Sequence, residues 1–156
     1  MLGNVLRMEQ FNAAGIGEGD PVGRTDHCFE FAVDPRFRWL LARLGVREGT
    51  SGVWIGPHGL VARFGLWVLR TPLDNIADVT VTGPFRAWRV IGPRLSLADR
   101  GLTFGSNTAL GACIRFRHPV PGLDPLGLLR HPALTVTVRD PDALARQLRR
   151  YLDSAD

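Results

Sequence analysis

The stretch His131-Pro132-Ala133-Leu134-Thr135-Val136-Thr137-Val138-Arg139-Asp140-Pro141 decides the fold class. Leu134, Val136 and Val138 alternate with Thr135 and Thr137, the period of two that gives a strand one buried face. Asp140-Pro141 ends the strand and opens a helix: the aspartate can cap a free N–H, and proline fits the first helical position, where no intrahelical donor is required. Leu144, Leu148, Tyr151 and Leu152 then recur at helical spacing as an inner stripe. A strand leading through a capped proline into one amphipathic helix is the closing unit of the domain.

Upstream, the same alternation recurs. Ala112, Ile114 and Phe116 share one face of a strand, with Cys113, Arg115 and Arg117 on the other, so solvent or a partner lies on the arginine side. Four prolines and two glycines make His118 to Pro132 an irregular connection. Leu123, Leu126, Leu128 and Leu129 are too apolar for a free linker and are expected to tuck against the core. Leu95 and Leu97, the turn Asp99-Arg100-Gly101, then Leu102 and Phe104 read as a hairpin, followed by a loop at Gly105-Ser106-Asn107-Thr108. A strand carrying Val79-Thr80-Val81-Thr82 is stopped by Gly83-Pro84 and preceded by the turn Thr71-Pro72-Leu73-Asp74-Asn75.

Earlier still, Val53 and Ile55 lead into Gly56-Pro57-His58-Gly59, and Leu60, Ala62 and Phe64 follow, a second hairpin signature; Gly65 then bends the chain into Leu66 to Arg70. Phe29, Phe31 and Val33 alternate with Cys28, Glu30 and Ala32, and Asp34-Pro35 opens a short helix near residues 35–44. In that helix Phe37, Leu40, Leu41 and Leu44 face inward, Arg36 and Arg43 outward, and Gly45 ends it. Residues 1–25, rich in glycine and without period, read as a flexible N-terminal segment, leaving 26–156 as a single domain.

A chain of 156 residues matches one domain with its own core. Every apolar run is interrupted well before the roughly 18 to 20 residues that cross a bilayer, and no signal-peptide h-region follows Arg7. A soluble, cytoplasmic protein is therefore expected. Cys28 and Cys113 are too few for a disulfide scaffold and read as reduced core or near-core thiols. All 19 basic residues are arginine and the net charge is +4, a weak general attraction for anions.

Taken together, seven or more short strands, the segment Trp67-Val68-Leu69-Arg70-Thr71-Pro72-Leu73-Asp74-Asn75-Ile76, and the closing strand and helix resemble the bacterial pleckstrin-homology-like domains, including uncharacterised actinobacterial proteins of that architecture. The resemblance covers about Gly52 to Asp153. It implies a mainly β (β-rich α+β) fold: a split barrel of two near-orthogonal antiparallel sheets whose open corner the C-terminal helix plugs. It implies a binding role, and many such domains hold peptides or partner domains. Some eukaryotic members bind inositol phosphates through the first hairpin loop, but Gly56-Pro57-His58-Gly59 is short and carries only His58, so that activity gains no support.

The candidate ligand-binding residues are Arg86, Trp88, Arg89 and Arg94, where guanidinium groups can pair with phosphate or carboxylate beside a flat apolar anchor. Alternation along one strand explains the same residues as two core and two wet positions. His27, His58, His118 and His131 have no metal-ligand spacing; His118 and His131 precede proline and read as loop residues. Ser51, Ser96 and Ser106 lack the Gly-x-Ser-x-Gly setting of an activated nucleophile. Arg146, Arg149 and Arg150 read as the solvated side of the last helix. No phosphate loop or dinucleotide fingerprint is present, and neither a catalytic residue nor a cofactor is assigned. The leading expectation is thus a non-enzymatic binding or scaffolding module, with protein–protein interaction ahead of an anionic small molecule, lipid head group or membrane surface met by the arginine and tryptophan residues. An unrecognised hydrolase or isomerase that joins His58, an aspartate and Ser106, and a nucleic-acid partner, rank behind.

Overall fold

The computed structural model describes residues 27–85, 91–95, 100–124 and 126–154. Among them, four strands form one antiparallel sheet in chain order: His27–Glu30 (β1), Gly52–Gly56 (β2), Gly59–Phe64 (β3) and Trp67–Thr71 (β4). The hairpin joining β2 to β3 needs glycine at its end, because Gly59 has φ 122° and a Cβ there would strike the Thr71 carbonyl oxygen. Gly65 turns β3 into β4 with φ 61°, and a Cβ there would collide with the Leu44 carbonyl oxygen.

Five further strands form the second sheet: Ile76–Thr82 (β5), Gly92–Leu95 (β6), Leu102–Gly105 (β7), Gly111–Pro121 (β8) and Arg130–Val136 (β9), in the order β5-β8-β9-β7-β6. The expectation of wholly antiparallel sheets needs correcting here. β7 runs parallel to β9, with Leu102, Thr103 and Phe104 opposite Leu134, Thr135 and Val136. The β6–β7 and β8–β9 hairpins lie side by side, which brings together two strands running the same way. The protein is mainly β, and neither sheet closes into a barrel.

Inward-facing residues of both sheets make one core. Phe31 meets Phe64 edge to face at 5.0 Å, and Phe64 stacks on Phe104 at 5.3 Å, so an aromatic column links β3 of the first sheet to β7 of the second. Two polar seams register the sheets. In the first, the chain leaving β1 pairs with the chain leaving β9: Phe31 bridges Val138, Ala32 N–H donates to the Thr137 carbonyl at 3.0 Å, and Arg139 N–H donates to the Glu30 carbonyl at 2.9 Å. In the second, the Asn75 amide is bonded both ways to the His118 backbone, at 2.9 and 3.0 Å, and donates to Thr71 Oγ1 at 2.9 Å.

Two helical pieces complete the fold. A 3-10 turn at Pro35–Phe37, capped by Asp34, runs into the helix Arg38–Arg43 (α1). Leu41 is fully buried, Phe37 and Leu44 partly so, but Leu40 faces out beside an exposed Trp39. The expected inner stripe loses Leu40 because a helix this short presents one narrow face, and Leu40 lies about 100° from Leu41 around the axis. The long helix Pro141–Ser154 (α2) lies against β5 and β8. Asp140 Oδ1 caps it by accepting Ala143 N–H at 2.8 Å, and Leu144, Ala145 and Leu148 are buried. Arg149 is not purely a solvated residue, since its guanidinium donates to the Val79 carbonyl on β5 at 3.0 Å.

Thr137 sits at the centre of the first seam: its hydroxyl accepts Ser106 N–H at 2.7 Å and lies 2.9 Å from Ser106 Oγ, all without solvent contact. Thr137→Val keeps the shape and strands those groups, so it is expected to lower stability by about 1–3 kcal/mol. Urea unfolding checks this, and an unchanged midpoint would mean that the seam does not hold the sheets.

Candidate functional site

The strongest surface feature is the tip that joins β8 to β9. The ladder is regular from Ala112–Val136 to Arg115–Ala133, then shifts, and resumes with Val120 opposite His131 and Pro121 opposite Arg130. Beyond that pair the chain is anchored. Gly122 lies so near the core that a Cβ would come within 2.9 Å of Leu69 Cδ1 and 3.1 Å of Leu102 Cδ2, and Leu123 packs against the core.

Asp124 then organises the rest of the tip. Its carbonyl accepts Gly127 N–H at 3.2 Å, and its two carboxylate oxygens accept Leu128 N–H and Leu129 N–H, each at 2.8 Å. Gly127 takes the left-handed conformation, φ 67°, that this return requires. The backbone is thereby fixed with its side chains outward: Leu126 is 79% exposed, Leu128 78% and Leu129 45%. These three leucines do not tuck against the core, contrary to expectation. Gly122 and Leu123 already fill the space beneath the hairpin, and the Asp124 bonds turn the following residues away from it.

Basic groups surround the base of the tip. Arg130 is the first residue of β9, and Arg117 and His118 lie in the irregular part of β8; all are exposed. Arg100, also exposed, is held beside β9 because its carbonyl accepts from His131 Nδ1 at 3.0 Å. His131 is therefore a fully buried strand residue and not part of a loop, and its Nε2 has no hydrogen-bond partner among the described residues. His118, too, lies within a strand. Among the described residues the acids near this end are Asp124, whose oxygens are engaged by backbone, Asp74, next to Asn75 in the second seam, and Asp78, exposed opposite Arg115.

Of the residues singled out in the sequence, Arg86, Trp88 and Arg89 lie outside the described residues. Arg94 is exposed on β6 and its Nε donates to the Ile91 carbonyl at 2.9 Å. Ser106 is buried, and its hydroxyl is engaged by the Ala32 carbonyl at 2.8 Å and by Thr137, so it is a structural residue and not a poised nucleophile. His58 stays exposed in the β2–β3 turn. Cys28 is exposed, which corrects its reading as a core or near-core thiol, because β1 is an edge strand; Cys113 is half-buried, a near-core position. Among the described residues no three metal-ligating side chains gather, and no helix is long and apolar enough to cross a membrane.

Comparison with family models, with curated proteins and with solved structures returned no match. The class defined by the geometry is a two-sheet, mainly β domain with a terminal helix and a fixed apolar hairpin tip. Sequence reasoning missed the tip as a surface. The signal was present in Asp124, four and five residues ahead of the N–H groups it accepts, followed by Gly127.

The Leu128 and Leu129 N–H groups hold the Asp124 carboxyl below its ordinary value of 3.8. A depressed carboxyl contributes order that is present above its unfolded pKa and is lost as pH falls through the folded value. Amide exchange at Leu128 and Leu129, corrected for intrinsic rate, should thus stay slow at neutral pH and rise only below about pH 4. Asp124→Ala should remove the protection at every pH; protection that survives this change would refute the pinning role.

Proposed function

We propose that the protein is a non-enzymatic binding or scaffolding module of the pleckstrin-homology-like type, and that it meets its partner with the β8–β9 tip. The observation that carries this reading is the ordered exposure of Leu126 and Leu128. An apolar side chain in water gives up the stabilisation that burial would supply, about 1.5–3 kcal/mol for a leucine. A mobile loop could fold such residues inward; this backbone is held by three hydrogen bonds to Asp124, so they stay out until something covers them. Clustered apolar exposure on a fixed element marks a contact surface more often than a neutral one. The order of two sheets and a terminal helix supports the family type, whereas the parallel β7–β9 pair and the α1 segment are additions to its minimal plan.

A photoreactive phenylalanine analogue placed at Leu128, in cells that make the protein, tests this. Irradiation should give discrete adducts there and none at Asp142, an exposed position on α2. No adduct at Leu128, or the same adducts at both positions, would overturn the reading. So would saturable turnover abolished by one side-chain substitution.

A further inference from the structure

We infer that the outer face of the first sheet binds single-stranded nucleic acid, a base stacking on Trp54 while Arg63 and Arg70 together hold a backbone phosphate. This surface shares no residue with the β8–β9 tip and goes beyond the reading of the tip as a contact surface.

Strand register fixes which side chains share the face. Val53, Ile55, Leu60, Ala62, Phe64 and Leu69 are buried in the core, so the alternate residues of β2, β3 and β4 lie on the other side of the sheet. Cys28, Trp54, Val61 and Arg70 form one row across the four strands, and Glu30, Gly52, Arg63 and Val68 form the next. Gly52 leaves room for the half-buried indole, since a Cβ there would lie 3.5 Å from Trp54 Cη2. The strand opposite Gly52 carries Arg63, at the roughly 5 Å spacing of paired strands.

Two unfavourable features coincide beside that ring. Arg63 and Arg70 are diagonal neighbours on β3 and β4, within reach of each other as long side chains, and neither makes an ion pair among the described residues. Arg70 Nε is closed to solvent and has no hydrogen-bond partner, and burial, reinforced by the charge of Arg63, holds this guanidinium below its ordinary pKa. A buried donor without an acceptor and two like charges side by side both cost stability. One phosphate accepting from both guanidinium groups removes both costs. Glu30, the acid in these rows, stands two strands from Arg63, roughly 10 Å away, and is paired with Arg139 at 3.5 Å. Small ligands are held in concave sites, whereas an open sheet face with an aromatic ring and arginines suits a strand laid across it, which presents a flat base beside each phosphate.

Fluorescence anisotropy tests this with the full chain and a labelled oligothymidylate of about 12 nucleotides, within the roughly 4–16 that single-strand sites span. Binding is expected, and weaker at higher salt. W54A should weaken it roughly tenfold. R63Q/R70M should also weaken it roughly tenfold. That double variant should reduce the slope of log affinity against log salt by about 0.7, as for one phosphate. Its melting temperature should not fall, because the orphaned Nε leaves with the side chain; if W54A does not fold, this variant decides alone. No binding, or equal binding by R63Q/R70M with the same salt slope, would overturn the inference. Displacement of the strand by thymidine monophosphate at equal phosphate concentration would assign the face to a free nucleotide, and displacement by polyglutamate at equal charge to an acidic protein; either result overturns it as well.

Discussion

The structure depends on the seam where the chain leaving β1 meets the chain leaving β9. Each sheet has an inner apolar face, and burying one on the other stabilises the domain only if the two are held in register. Ala32 and Thr137 provide that register. The Ala32 carbonyl accepts from Ser106 Oγ at 2.8 Å and from Asn107 Nδ2 at 2.9 Å, and the same amide donates to the Thr137 carbonyl at 3.1 Å. Three distant segments thus satisfy one another's polar groups around Ser106 and Thr137, which are closed to water, so that a missing partner there would leave a buried polar group unsatisfied. The Phe31, Phe64 and Phe104 column lies across the interface that this network fixes.

The tip depends on the same framework from its other end. Gly122 can press on Leu69 and Leu102 because β4 and β7, from different sheets, are brought together at that point. The hairpin base is therefore packed into the core, and the Asp124 hydrogen bonds extend that anchoring to residues whose side chains are largely exposed. Presenting apolar groups from a fixed backbone lowers the ordering entropy that any association must overcome. Asn75, clamped to the His118 backbone, steadies the adjoining stretch of β8 that carries Arg117.

Much of the plan was legible in local pattern. Both helix caps, at Asp34 and Asp140, the Gly56–Gly59 hairpin, the inward faces of β8 and β9 and the stripe on α2 follow from period and turn chemistry alone. What failed was long-range. Pro132 made His131 read as loop, yet proline, lacking an N–H, fits a strand where its neighbour bulges, and the β8 register breaks opposite it between Arg115 and Val120. Ser106 and Asn107 look like any turn, because nothing adjacent in sequence records bonds to residues some seventy positions earlier. The leucines at 126, 128 and 129 were assigned to the core on hydrophobicity; hydrophobicity gives a preference for burial but not the space to accommodate it. The surface chosen from the sequence centred on Arg86, Trp88 and Arg89, a run of suitable chemistry, whereas the tip is defined by geometry.

The pairing of β1 with the far end of β9 also sets an order of events during synthesis. The β2–β3–β4 hairpins are local and can form as soon as they leave the ribosome, but the Ala32 N–H has no partner until Thr137 has been made. Until then the second sheet, which covers the inner face of the first including Phe31 and Phe64, lacks the central strand β9 that joins β8 to β7. Non-local closure of this kind slows folding and leaves a nascent chain open to aggregation. Closure of the domain therefore waits for its last strand, and the first sheet must stay soluble through that interval.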